Sequence, residues 1–158
     1  MELLAYHPDF ISQEQLENFS LPLNQLKFSD LPLNAIKKSK VDHDRYPIFL
    51  IHDQQLLVAF ILHINEGPKI YTNKPNTILL RSFSTNHHYQ GKGYAKTALL
   101  LLPAYIKEHF PTITEIILGV NAKNLPAISL YQKTGFVDNE KPLLTEYGEL
   151  KIMIQTIQ

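Results

Sequence analysis

The chain has 158 residues, 44% of them hydrophobic and 19% charged, with a formal net charge of zero. That balance suits one soluble globular domain, residues 1–158, able to bury a core and without the basic excess that draws nucleic acid or a membrane surface. Cysteine is absent, which excludes disulfides, thiolate metal sites and a cysteine nucleophile.

The first residues, MELLAYHPDF, show no basic segment followed by an apolar stretch, and no run reaches the roughly 18 apolar residues of a membrane span. A cytoplasmic enzyme or binding module is expected. DFISQEQLENFSLPLNQLKF starts polar and offers a short strand at Asn24 to Phe28; LPLNAIKKSKVDHD follows as a short helix ending near Lys40. PIFLIHDQQLLVAFILHI holds two apolar, β-rich runs around Asp53-Gln54-Gln55, the pattern of a hairpin. NEGPKIYTNKPN, with its Gly, Pro and Asn, reads as a long loop.

TILLRSFS reads as the next strand, and a helix follows from about Lys92 to His109. Its Ala95, Ala98, Leu99, Leu102, Tyr105 and Ile106 recur at helical spacing, with Pro103 expected to kink it and Pro111 beyond its end. EIILGV is a short buried strand. NLPAISLYQKTGF reads as a helix with Asn124 as cap, Pro126 in the first turn and Gly135 past the end. ELKIMIQTI alternates Leu150, Ile152 and Ile154 against Lys151, Met153 and Gln155, a half-exposed closing strand. Strands followed by strand–helix–strand–helix–strand imply an α+β, mixed α/β sheet with helices packed on it.

Two of the six glycines, Gly91 and Gly93, fall together where a strand gives way to a helix. The first N–H groups of a helix lack intrahelical partners and carry about half a positive charge, so a glycine turn there can hold a phosphate against the backbone. Lys92 would add a cation. The spacing fits neither G-x-x-x-x-G-K-[ST], since Ala95 precedes Lys96-Thr97, nor the dinucleotide fingerprint, whose third small residue is here Lys96. From this segment alone, a phosphate site and a plain tight turn remain equal readings. His87-His88 has no third ligand at fitting spacing, so no metal site is expected.

The segment Gln90-Gly91-Lys92-Gly93-Tyr94-Ala95 and, some thirty residues on, Asn124, Ala127, Leu130, Tyr131, Lys133, Gly135 and Phe136 resemble the GNAT superfamily of acyl-CoA-dependent N-acyltransferases. The family's pattern opens two residues before its first glycine. Here Gln90 directly precedes Gly91, in the common YQGKG form. The two motifs together span residues 76 to 137. The resemblance implies a mixed, mostly antiparallel sheet of about six or seven strands flanked by helices, with one splayed strand pair that binds the cofactor.

It further implies that the backbone from Gln90 to Ala95, through Gly91, Lys92, Gly93 and Tyr94, cradles the pyrophosphate of acetyl-CoA. The strand ending Phe83-Ser84 would pair with the pantetheine amides, and Asn124 and Ala127 would lie against the cofactor. Tyr131 would protonate the departing thiolate, a task that suits a phenol; as residues alone, Ala127, Leu130 and Tyr131 also read as the core face of a helix. Asn124 can equally be a plain cap.

Many members place a glutamate on the strand before the pyrophosphate loop as general base, but NTILLRSFS has no carboxylate. Its one charge, Arg81, either binds a substrate carboxylate or braces the sheet. The base is left open among a water held by backbone carbonyls, Glu115 at the far end of the next strand, and an amine that arrives unprotonated. The expected reaction is direct attack of a primary amine, of a small molecule or peptide, on acetyl-CoA. The other reading is a non-catalytic acyl-CoA-binding or sensing module that has lost its base. No nucleic-acid, membrane or metal partner is expected. Homodimers are frequent in the family, and no interface pattern is legible.

Overall fold

A computed structural model describes residues 1–26 and 29–157. One sheet takes strands from both ends of the chain. In chain order the elements are β1 (Glu2–Ala5), α1 (Gln13–Asn18), α2 (Leu23–Leu26), α3 (Pro32–Val41), β2 (Arg45–His52), β3 (Gln55–His63), β4 (Thr77–Thr85), α4 (Tyr94–His109), β5 (Glu115–Asn121), α5 (Leu125–Lys133), β6 (Val137–Asp138), β7 (Leu143–Thr145) and β8 (Gly148–Thr156). The strands lie in the order β1-β2-β3-β4-β5-β8-β6, with β7 also against β8. All neighbours are antiparallel except β4 and β5. The fold is thus the expected mixed, mostly antiparallel α+β sheet, with eight strands. The surplus over six or seven comes from pieces as short as β6 and β7, in which alternation cannot show.

The hairpin forms where the apolar pattern breaks. Asp53 and Gln54 both take positive φ (48° and 64°), the type I′ geometry whose twist matches the flanking strands. β3 is central and buried on both faces, which explains an apolar run without alternation. On one face, Ile48, Leu62, Ile78, Leu80, Ile116 and Met153 pack under α4 and α5 through Leu99, Leu102, Ile106 and Ile128. On the other, Phe49, Leu56 and Ala59 meet Leu16 and Ile36 of α1 and α3. A smaller cluster of Leu79, Ile117 and Ile152 lies under Tyr71. α4 runs unbroken across Pro103.

Two expectations are corrected. The strand proposed for Asn24 to Phe28 is helical over its described part: the N–H groups of Gln25 and Leu26 both donate to the carbonyl of Pro22 (2.9 and 3.2 Å), a local turn in place of a sheet partner. Its last two residues, Lys27 and Phe28, lie outside the described residues. The closing strand β8 is interior, between β5 on one edge and β6 and β7 on the other, and both its faces are covered: Met153 packs under α4 and α5, and Ile152 packs with Leu79 and Ile117 under Tyr71.

Candidate active site

β4 and β5 share a register only from Thr77–Glu115 to Leu79–Ile117, and beyond it they separate. A bulge in β4 accompanies the separation. Ile61 pairs with Arg81 and Ala59 with Ser84, so Ser82 and Phe83 together oppose Phe60, and Ser82 takes a left-handed φ of 55°. The extra residue turns Phe83 toward the α5 side, where its ring stacks on Phe60 (5.7 Å) and meets the edge of Tyr131 (6.2 Å). Between the diverging strands opens a cleft of about 1060 Å³. Leu80 to Phe83 and Thr85 form one wall and Leu118 to Asn121 the other. The facing edges make no ladder bonds to each other there, so main-chain donors and acceptors are left for a ligand.

The end of β4 is held firmly. Asn86, buried, donates to the carbonyl of Leu56 (3.0 Å) and accepts from the N–H of His88, which opens a short 3₁₀ turn over His87–Tyr89. The Gln90 side-chain amide donates to Gln25 and to the carbonyl of Thr85, both at 3.1 Å. Its side chain is thereby a brace between α2 and β4. Gly91 and Gly93 have φ of 78° and 83°, and Gly93 is the N-cap of α4. No atom lies within 4 Å of a Cβ built on either glycine, so the space over the turn is open. The first helical N–H with an intrahelical partner is that of Thr97, to Gly93 O (3.1 Å), which leaves those of Tyr94, Ala95 and Lys96 free. Lys92 is exposed, 5.9 Å above the Tyr89 ring. An anionic, extended ligand fits this arrangement: strand edges for its amides, glycine turn and helix start for its phosphates.

On the opposite wall, α5 begins at Asn124, whose Oδ1 accepts from the N–H of Ala127 (3.3 Å). Both residues line the cleft, so cap and ligand wall coincide. Tyr131, 9% exposed, is wedged between Phe83 and Phe136, and among the described residues its hydroxyl has no hydrogen-bond partner. Burial pushes its pKa well above the ordinary phenol value, so at any physiological pH it holds its proton.

The expected site residues thus divide. Phe83, Ala95, Asn124, Ala127, Tyr131 and Arg81 line the cleft together. Gln90, Gly91, Lys92, Gly93 and Tyr94 form the turn and helix start beside it. Ser84 does not line it: the residue is buried, with its hydroxyl unpartnered. Glu115, left open in the sequence as a base, stands away from the cleft. It lies at the closed end of the strand pair, buried and in an ion pair with Lys74 (2.7 Å). The only carboxylate lining the cleft among the described residues is exposed Glu146. No group of three metal-ligating side chains occurs among the described residues, His87 and His88 included.

Behind Arg81 stands a chain that linear reading missed. Arg81 Nη1 lies 3.2 Å from His63 Nδ1, and His63 Nε2 lies 3.2 Å from Asp42, which also pairs with Arg45 (3.3 Å). Burial chiefly, then Arg45 and Arg81, hold the imidazole below its usual 6.5, against the pull of Asp42. The folded protein therefore keeps the ring neutral, with Nε2–H donating to Asp42 and Nδ1 accepting from Arg81. Stability from this ring is complete above pH 6.5 and is lost as pH falls through its lower folded value. Urea midpoints followed from about pH 8 to about pH 5 should fall more steeply for the native protein than for His63→Gln; equal slopes would show that His63 titrates alike folded and unfolded. Gly67, which linear reading did not single out, is the glycine that touches this chain: a Cβ there would overlap the His63 ring.

Residues 9–136 match the family model described as Acetyltransferase (GNAT) family. The chain belongs to this family. It is 37% identical over 154 residues to the uncharacterized N-acetyltransferase YbbJ of Bacillus subtilis (strain 168), covering 97% of this chain and 95% of that protein. It is 27% identical to the spermine/spermidine N(1)-acetyltransferase of the same strain, over 85% of each chain. Among solved structures, the aminoglycoside acetyltransferase AAC(6')-Ib in complex with coenzyme A and kanamycin superimposes with a TM-score of 0.72 at 16% identity, covering 98% of this chain and 93% of that one, a likeness of fold. This GNAT chain is accordingly an N-acetyltransferase. No helix among its described residues is long and apolar enough to cross a membrane.

Proposed function

We propose that the chain moves the acetyl group of acetyl-CoA to the primary amine of a small molecule or peptide by direct attack, acting in the cytoplasm, where acetyl-CoA is made and used. The separation of β4 from β5 beyond Leu79 carries this reading, because β4 runs on toward the open glycine turn and Tyr131 stands on the cleft wall. A pantetheine arm would lie along the free edge of β4. The N–H groups from Gly91 to Lys96 would meet the pyrophosphate. Bond formation between amine nitrogen and acetyl carbon breaks the carbon–sulfur bond, and the sulfur takes the proton of Tyr131. The amine's own proton leaves to water, since β4 offers no carboxylate, and water returns a proton to the Tyr131 phenolate, which restores the acid. Spermidine in the name of a relative and kanamycin in that of a structural neighbour are amines, which supports an amine acceptor without naming this chain's own.

The test is thiol release from acetyl-CoA across a panel of amino acids, peptides, polyamines and aminoglycosides. An amine-dependent rate with at least one class supports transfer. Binding of acetyl-CoA with no amine-dependent rate would favour a sensing role, toward which the lack of a strand carboxylate leans.

A further inference from the structure

Arg81 is unusual among the charged groups of the cleft. It is half-buried, and among the described residues no carboxylate lies within ion-pair distance of it. Buried charges are ordinarily paired, because loss of water is costly without a counter-charge. Among the described residues its side-chain partner is the neutral His63 ring, which engages a single guanidinium nitrogen and is itself fixed by Asp42. That contact sets the plane of the fork, and among the described residues no other hydrogen-bond partner engages its remaining donors, the preparation that a planar carboxylate needs. The position also fits: Arg81 follows Leu79, where the strand pair opens, and lines the cleft together with Tyr71 and Tyr131. Charge around the cleft points the same way. Among the described residues that line it, Arg81 and Lys123 face one carboxylate, exposed Glu146, and the Asp30 and Asp42 charges that act on Arg81 lie outside the lining, so a polycation would find little there to neutralise it.

The geometry points to an acceptor amine that also carries a carboxylate, an amino acid or a short peptide, with Arg81 binding that carboxylate and His63 positioning Arg81. This rests on the reading of the cleft as the place of acetyl transfer. Polyamines, named for two relatives at 27% and 28% identity, are then poor acceptors here.

Paired acceptors that differ only in the carboxylate give the test: free amino acids and dipeptides against their C-terminal amides, with spermidine as the cationic comparator. The native protein should show kcat/KM at least about tenfold higher for acids than for amides, mostly through KM, as expected for one charge-assisted contact. In Arg81→Leu that ratio should fall to near one, and Arg81→Lys should keep part of it. His63→Gln should lower the ratio less than Arg81→Leu does, with kcat for amides little changed. A folding defect would depress acids and amides alike and leave the ratio intact. Preferred turnover of spermidine, equal turnover of acids and amides, or no turnover of any acid while acetyl-CoA binds would each overturn the inference alone. Failure to bind acetyl-CoA would instead remove the reading on which it rests.

Discussion

Tyr131→Phe is expected to lower kcat about a hundredfold while leaving the fold and the affinity for acetyl-CoA nearly unchanged, the lower end of what a positioned acid contributes. The ring packs between Phe83 and Phe136, and phenylalanine keeps those contacts. The hydroxyl has no partner among the described residues, so its removal leaves no orphaned donor or acceptor behind. What is lost is the proton for the departing sulfur. Because burial raises the Tyr131 pKa above the ordinary 10.0, the native kcat should show no alkaline fall from this group below pH 10. A Tyr131→Phe enzyme within threefold of native, by thiol release under saturating acceptor, would remove Tyr131 from the chemistry and leave it as a core aromatic.

Gly93→Val should weaken acetyl-CoA binding about a hundredfold, the loss of two charge-assisted backbone bonds at about 1.5 kcal/mol each. Two effects act in the same place. A β-branched residue at a φ of 83° costs about 1–2 kcal/mol of backbone strain, which tilts the turn away from its left-handed form. The new side chain also stands over the turn in the space now open. Titration calorimetry reads the affinity and thermal melting the strain. A melting loss with affinity within threefold of native would mean that the glycine serves the helix cap and not a phosphate.

The features legible in the sequence were those written in consecutive residues. Turn residues between β-rich runs marked the β2–β3 hairpin, helical spacing marked α4, and the run from Asn124 to Phe136 marked α5 with its cap and its C-terminal glycine. The two motifs also located Tyr131, which lines the cleft, and the glycine turn, which lies beside it. Hidden features were of two kinds. Some were too short for a period to register, such as α2, β6 and β7. Others depended on distant residues. Ser82 sits in a left-handed bulge with neither the glycine nor the asparagine that usually signals one, because its conformation is set by the offset of β4 against Phe60. The chain from Asp42 through His63 to Arg81 joins three segments by side-chain contacts. The same contacts change the meaning of Arg81 from an odd charge on an apolar strand to an oriented one.

Calorimetric titration of the purified chain with acetyl-CoA, with ATP and NAD as comparators, tests the central claim most directly. The cleft between β4 and β5 predicts saturable one-site binding of acetyl-CoA, abolished or strongly weakened in Gly93→Val, with no comparable heat from ATP or NAD. Absence of acetyl-CoA binding, or ATP binding at least as tightly, would contradict it.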